Sequence, residues 1–93
     1  MSVIKNSDVE SIRNIGKSVR IYAEDIKKDI DNLLKHHNDM SSVWNGKQYD
    51  DFTDILLETQ KEISKQSAIL LEIADKIKID ADKLEKANQV QIK

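Results

Sequence analysis

Apolar residues recur every seventh position through both halves of the chain. The first series is Ile12, Val19, Ile26, Leu33 and Met40; the second is Tyr49, Leu56, Ile63, Leu70, Ile77 and Leu84. Neither series has a gap. With 39% of all residues apolar, two such runs coincide by chance at roughly one in several hundred, so the periodicity is a property of the chain. Neighbours three or four positions away widen each stripe: Ile15, Tyr22, Ala23, Ile30 and Leu34 in the first half, and Phe52, Ile55, Ile73, Ala74 and Ala81 in the second. Residues at those separations share a helix face. The pattern predicts two amphipathic helices with apolar bands broader than a minimal two-helix seam.

The helix ends are legible too. Ser7 with Glu10 three residues later has the form of a capping box, which starts helix one near Asp8. Gly16 lies inside this helix and weakens it by about 1 kcal/mol relative to alanine, which the long stripe outweighs. Lys35, His36 and His37 near the far end suit the helix dipole and read as partly exposed residues, with a pH-sensitive pairing contact as the sharper alternative for His37. Helix propensity then falls across Ser41 to Gly46. Asn45 and Gly46 tolerate backbone angles that other residues resist, and Asn45 is placed to cap helix two with Gln48 reaching back. The expected layout is one domain over 1–93, with helix one at about 8–40, a turn at 41–46, helix two at about 47–87 and a frayed tail at 88–93.

Helices of this length extend roughly 50 to 60 Å at 1.5 Å per residue. The short connection makes them antiparallel, so the fold class is all-α, a two-helix hairpin (helix-turn-helix). Two helices cover only one side of each other, and their broad stripes leave apolar surface over. Pairing of two hairpins into a four-helix bundle dimer buries the remainder. Ile12, Val19, Ile26, Leu33, Met40, Leu56, Ile63, Leu70 and Ile77 are the expected core and dimer interface. Self-pairing and pairing with a similar but distinct chain both satisfy this requirement.

Composition narrows the functional classes. The chain has no proline and two glycines, which favours uninterrupted helices. Fifteen Lys and Arg stand against seventeen Asp and Glu, without the basic excess of a nucleic-acid surface. The absence of cysteine removes disulfides and thiolate metal sites. The start of the chain reads as lacking a Sec signal, and no stretch approaches a membrane span. His36 and His37 are adjacent and point about 100° apart on a helix, which does not suit one metal. Asp50, Asp51 and Asp54 serve the dipole of helix two, and Glu24 and Asp25 read as solvent-facing charges near Lys27 and Lys28. A hairpin offers no deep pocket, phosphate loop or scaffold for a catalytic triad. The expectation is a protein-binding module with no catalytic, cofactor or metal site.

The turn carries a specific pattern. Trp44-Asn45-Gly46 is a Trp-x-Gly triplet near the middle of the chain, followed by Tyr49 and Phe52, and preceded far upstream by Ile4-Lys5-x-Ser7-x-x-Glu10. It contains the only tryptophan. In layout and length the chain resembles the WXG family, small helical hairpins similar to the early secreted antigenic target proteins of bacterial type VII secretion. On physical grounds Trp44 lies over the end of the hairpin, Gly46 permits a tight turn, and Tyr49 and Phe52 line the first turns of helix two. This is consistent with a corner plug alone and with a surface that also serves in secretion.

The resemblance implies a small type VII secretion substrate or partner, made in the cytoplasm, dimerised and exported folded to the outside of the cell. Its implied partners are itself or a related WXG-type chain, with an LXG-type toxin and the secretion ATPase as further ones. Many family members carry Tyr-x-x-x-Asp/Glu after helix two. Here the corresponding positions are Leu84 and Asn88, a degenerate signal in which Leu84 also fits the core series. That departure supports the alternative of a cytoplasmic adaptor for a larger LXG-type toxin, and a generic coiled-coil scaffold is the third reading.

Overall fold

A computed structural model describes the backbone of residues 5–92 and the side-chain surroundings of residues 5–88; Ile4 of the amino-terminal pattern and Lys93 of the tail lie outside them. Helix α1 spans Asn6–Asp39, a short 3-10 turn spans Met40–Ser42, and helix α2 spans Lys47–Ile92. The described residues contain no strand, and the helices pack against each other as a hairpin. The chain forms two compact units. An end unit combines the chain up to Tyr22 with the chain from Ile69 onward, and a bend unit spans Ala23–Ala68.

The helix ends differ from expectation in three places. α1 begins earlier than Asp8, because the Lys5 carbonyl accepts the amides of Asp8 and Val9 at 2.9 and 3.1 Å. Ser7 therefore sits within the first turn, where its carbonyl accepts the Ser11 hydroxyl at 3.0 Å. At the start of α2 the Gly46 carbonyl, rather than the Asn45 position, opens the helical ladder by accepting the Asp50 amide at 3.0 Å. α2 also continues through the positions expected to fray, out to Ile92. Asn88 is only 4% exposed, so packing extends past Ala87.

In the end unit the most buried positions are Val9 and Gly16 on α1 and Ala74, Ala81 and Asn88 on α2. All but Val9 and Asn88 are the smallest residues available. A Cβ added at Gly16 would lie 3.0 Å from Ile77 Cγ2 and 3.5 Å from the Ala74 carbonyl oxygen. The glycine that weakens the helix in isolation is the one that lets α2 approach it. One flank of this contact is charged. Arg13 donates to Glu10, Asp82 and Glu85, each at 2.7 Å, and Arg20 pairs with Asp75. Glu85, then Asp82 and Glu10, raise the already high Arg13 pKa, so the guanidinium stays charged at any accessible pH. The other flank is apolar: Ile12, Val19, Leu70 and Ile77 are half-buried, while Ile15 and Tyr22 remain 56% and 60% exposed. Ile15, Val19 and Tyr22 share one shallow groove with Leu70.

In the bend unit Ala23, Ile30, Leu34 and His37 of α1 are buried with Tyr49, Leu56 and Ser67 of α2. The Ser67 hydroxyl donates to the Ala23 carbonyl at 2.8 Å, which satisfies a fully buried side chain across the seam. Asp31 accepts from the Gln60 amide at 2.8 Å and from Lys27 at 3.0 Å. Ile26 and Ile63 are half-buried, and Leu33 stays 51% exposed, as Met40 and Ile55 also do in large part. Most of the apolar series read from the sequence thus flanks the seam, while its members Tyr49 and Leu56 are buried in it. The tightest line lies three positions away, through small and polar residues.

Two outcomes follow. Gly16→Leu forces a branched side chain against Ile77 and the Ala74 backbone, and is expected to lower stability by at least about 2 kcal/mol. Gly16→Ala, which gains helix propensity but must displace Ile77 slightly, stays within about 1 kcal/mol of the parent; urea titration followed by circular dichroism reads both. The Gln60 amide, and after it Lys27, hold the Asp31 carboxyl below its ordinary value of 3.8. A lowered folded-state value means a contribution present above that pH and lost as pH falls through the folded value. The stability difference between the parent and Asp31→Asn should therefore be present at about pH 7 and shrink as pH falls below the ordinary carboxylate range.

Candidate functional site at the bend

The turn is built on one backbone requirement. After the 3-10 turn, the amides of Val43 and Trp44 both donate to the Met40 carbonyl, at 3.0 and 2.8 Å. The chain then reverses through Gly46, whose φ is +105°. Nothing lies within 4 Å of where a Gly46 side chain would begin. This glycine is required for its left-handed backbone, the conformational freedom expected of it in the sequence, and not for close approach.

Four rings gather where α1 ends and α2 begins. Tyr49 stacks on His37 with centroids 4.3 Å apart and planes 10° from parallel. Trp44 sets an edge against His37 at 6.1 Å and against Tyr49 at 5.4 Å. Phe52 completes the group, 5.6 Å from His37 and 6.1 Å from Trp44. Such offset and edge contacts suit the ring quadrupoles. Tyr49 is buried, whereas Trp44 and Phe52 keep 39% and 47% of their surface exposed. Trp44 therefore closes the corner with one part of its ring and presents the rest outward.

A hydrogen-bond circuit holds the rings in place. The Tyr49 hydroxyl donates to the His37 carbonyl at 2.7 Å. That carbonyl belongs to the last turn of α1, where the helix's own ladder runs out of donors. The Thr53 hydroxyl donates to the Tyr49 carbonyl at 2.8 Å, and His37 Nε2 lies 2.6 Å from Thr53 Oγ1. A threonine hydroxyl has one proton, and it is committed to Tyr49. His37 Nε2 is therefore the donor, which assigns the proton to that nitrogen. The circuit runs from His37 to Thr53, to the Tyr49 backbone, and from the Tyr49 hydroxyl back to His37.

His37 is 7% exposed, so its expected place as a partly exposed helix-end residue is corrected. It is a buried member of the corner, while His36 is exposed. Sequence reasoning missed Thr53 and the burial of His37. The available signals were spacings: His37 follows Ile30 by seven, and Thr53 follows Tyr49 by four, which turns its hydroxyl towards the Tyr49 carbonyl. Trp44, Tyr49 and Phe52 are brought together as the sequence suggested. Leu84 and Asn88 belong to the end unit, where Leu84 is half-buried and Asn88 buried. Among the described residues, no helix is long and apolar enough to cross a membrane.

Removing single atoms tests the circuit. Tyr49→Phe keeps the stack but leaves the His37 carbonyl without its donor, and should cost about 1 kcal/mol. Gly46→Ala should cost about 1–2 kcal/mol by placing a Cβ on a left-handed backbone. Both are measured by denaturant unfolding, and additivity in the double variant would place the two effects at independent points of the turn.

No curated protein and no solved structure matches the chain. The WXG100 family, described as proteins of 100 residues with WXG, matches residues 6–89, which takes in both helices and the tryptophan corner. The family comprises non-enzymatic helical proteins, similar to the early secreted antigenic target, that type VII systems secrete and that typically pair with related chains. With its helical hairpin, its Trp44-Asn45-Gly46 bend and a match over most of its length, the chain belongs to the WXG100 family.

Proposed function

We propose that this chain is a type VII secretion substrate or partner that pairs through its apolar flank into a four-helix bundle and is exported folded. The observation that carries the reading is the flank itself. In the end unit Ile15 and Tyr22 stand open beside half-buried Ile12, Val19 and Leu70, and in the bend unit Leu33 stands open beside half-buried Ile26 and Ile63. Fully burying a large apolar side chain is worth about 1.5–3 kcal/mol, so each of these half-exposed residues gains roughly 1 kcal/mol on being covered. Together they reach the scale of the association penalty, about 4–15 kcal/mol. Such a surface supports pairing with a partner that matches it. Covering that flank is not expected to disturb the seam or the charged pairs on the opposite side.

A second reading, the adaptor for a larger LXG-type toxin, has its own support. The family's carboxy-terminal export pattern needs an aromatic and an acid in reach of the machinery. The equivalent positions are Leu84, half-buried, and Asn88, uncharged and buried. A chain in which those positions are spent on its own packing is suited to receive the signal from its partner. Catalysis forms no part of either reading.

Export and pairing are separable by experiment. Trp44 is substantially exposed at the corner, so Trp44→Ala should retain helicity and pairing, at a cost of about 1–2 kcal/mol in stability, yet lose secretion-ATPase-dependent appearance in the medium. Tyr22→Asp should keep the helicity and lose the pairing, read as solution mass by light scattering. A Trp44→Ala chain secreted at the parent level would leave Trp44 a corner plug alone, and a parent that never reaches the medium would leave the generic scaffold. Export of the chain alone would favour the substrate reading, and export only when a toxin is co-expressed would favour the adaptor.

A further inference from the structure

The charged flank of the end unit is a ladder with one rung open. Arg13, Lys17 and Arg20 follow one another on α1 at spacings of four and three, and Asp82, Lys78 and Asp75 run back along α2 at the same spacings. Such separations hold each set on one helix face, and in an antiparallel pair the two sets meet in order. The outer rungs are closed: Arg13 donates to Asp82 at 2.7 Å, and Arg20 pairs with Asp75. The middle rung sets Lys17 against Lys78. Both lysines are exposed, and neither takes part in an ion pair among the described residues. Three and four residues from Lys17 on its own helix stand Arg13, Asn14, Arg20 and Ile21, none of them an acid. The acids so placed about Lys78 are Asp75 and Asp82, already engaged by the arginines. Beside this rung the helices meet over Gly16 and Ala74, whose small size leaves a groove of about 210 Å³ lined by these two and by Arg13, Lys17, Arg20 and Lys78. That lining holds four cations and no carboxylate. The groove is smaller than the roughly 300–1,000 Å³ of a pocket for a drug-sized molecule, and it suits a compact anion.

We infer that the groove between Lys17 and Lys78 is a binding site for a phosphate-class dianion, either free or carried on a phosphomonoester headgroup. A dianion set between two ammonium groups turns a repelling rung into an attractive one. Lysine meets phosphate as a point charge, with no fixed fork to satisfy. A carboxylate, with a single charge, neutralises one lysine and leaves the other. Arg20 closes its own rung through Nη2 alone, which leaves further guanidinium N–H groups at that end of the groove for the oxygens of the anion. The site lies off the apolar flank and makes no use of the pairing proposed above.

Inorganic phosphate is the probe, at about pH 7.5 where it is chiefly a dianion, with sodium chloride at equal ionic strength as the reference. An anion that binds the folded chain alone raises the unfolding midpoint, so phosphate should stabilise the parent against urea beyond the chloride reference. The amide signals of Lys17 and Lys78 should shift with phosphate and saturate. Lys78→Glu places an acid opposite Lys17 and closes the rung. It should keep its helicity, unfold at a higher midpoint than the parent in chloride, and bind phosphate at least about tenfold more weakly. Lys17→Gln, which removes one charge and adds no pair, should lose affinity for phosphate as well. Phosphate that does no more than chloride overturns the inference, as does an effect of equal size in the parent and both variants. Vesicles of phosphatidylcholine with and without phosphatidic acid distinguish the sources. Co-sedimentation of the parent with phosphatidic acid, lost in Lys78→Glu, supports a headgroup, and a phosphate effect without co-sedimentation supports a free anion. Co-sedimentation that Lys78→Glu retains overturns the headgroup as a source.

Discussion

The close approach of two helix backbones is the constraint from which the other features follow. Gly16 lies where a single added carbon would touch Ile77, and Ala23, Ser67, Ala74 and Ala81 continue the seam with side chains of one or two heavy atoms. Helices that meet over small residues gain contact between main chains and between the stems of their neighbours, but they have no room for large side chains at the centre. Beside the glycine and alanines of the end unit, Ile12, Val19, Leu70 and Ile77 are displaced to the side, while Ile30, Leu34 and Leu56 fill the bend unit. One side is finished by ion pairs and the other is left apolar, so the same geometry that joins the helices also creates the surface they leave uncovered.

The bend meets a different demand. α1 ends with carbonyls that its own ladder leaves without donors, and the return of the chain at Gly46 supplies one from Tyr49. Burying a histidine at that corner is tolerable because its ring nitrogen has Thr53 and its faces have Tyr49 and Phe52. Trp44 is not part of the circuit. It lies against the assembled rings, which leaves its outer surface available without loosening the turn.

Much of this was legible in the residues. The seven-residue series gave two helices, their antiparallel order and an apolar excess, and the Trp-x-Gly triplet located the turn. The seam itself was hidden. Val9, Gly16, Ala23, Ile30 and His37 recur at seven, as do Ser67, Ala74, Ala81 and Asn88, yet hydrophobicity weights glycine, serine, histidine and asparagine too low for the pattern to stand out. Apolar periodicity alone therefore does not separate that line from Ile12, Val19 and Ile26, which border it. His37 was misjudged for a related reason: its charge suits a helix terminus, and only the facing Tyr49 and Thr53, twelve and sixteen residues on, make burial acceptable. Helix ends were read to within a few residues, since alternative caps of similar strength lie side by side at Asn6, Ser7, Asn45 and Gly46.

The link between the Tyr49 hydroxyl and the His37 carbonyl joins positions only twelve apart, whereas Arg13 and Glu85 are separated by seventy-two. Closing a loop costs more chain entropy as the loop lengthens, so contact between the two halves begins most readily at the tryptophan corner and is extended from there. A nascent chain has this corner complete long before the last turns of its second half have been made, and can start folding from a stub.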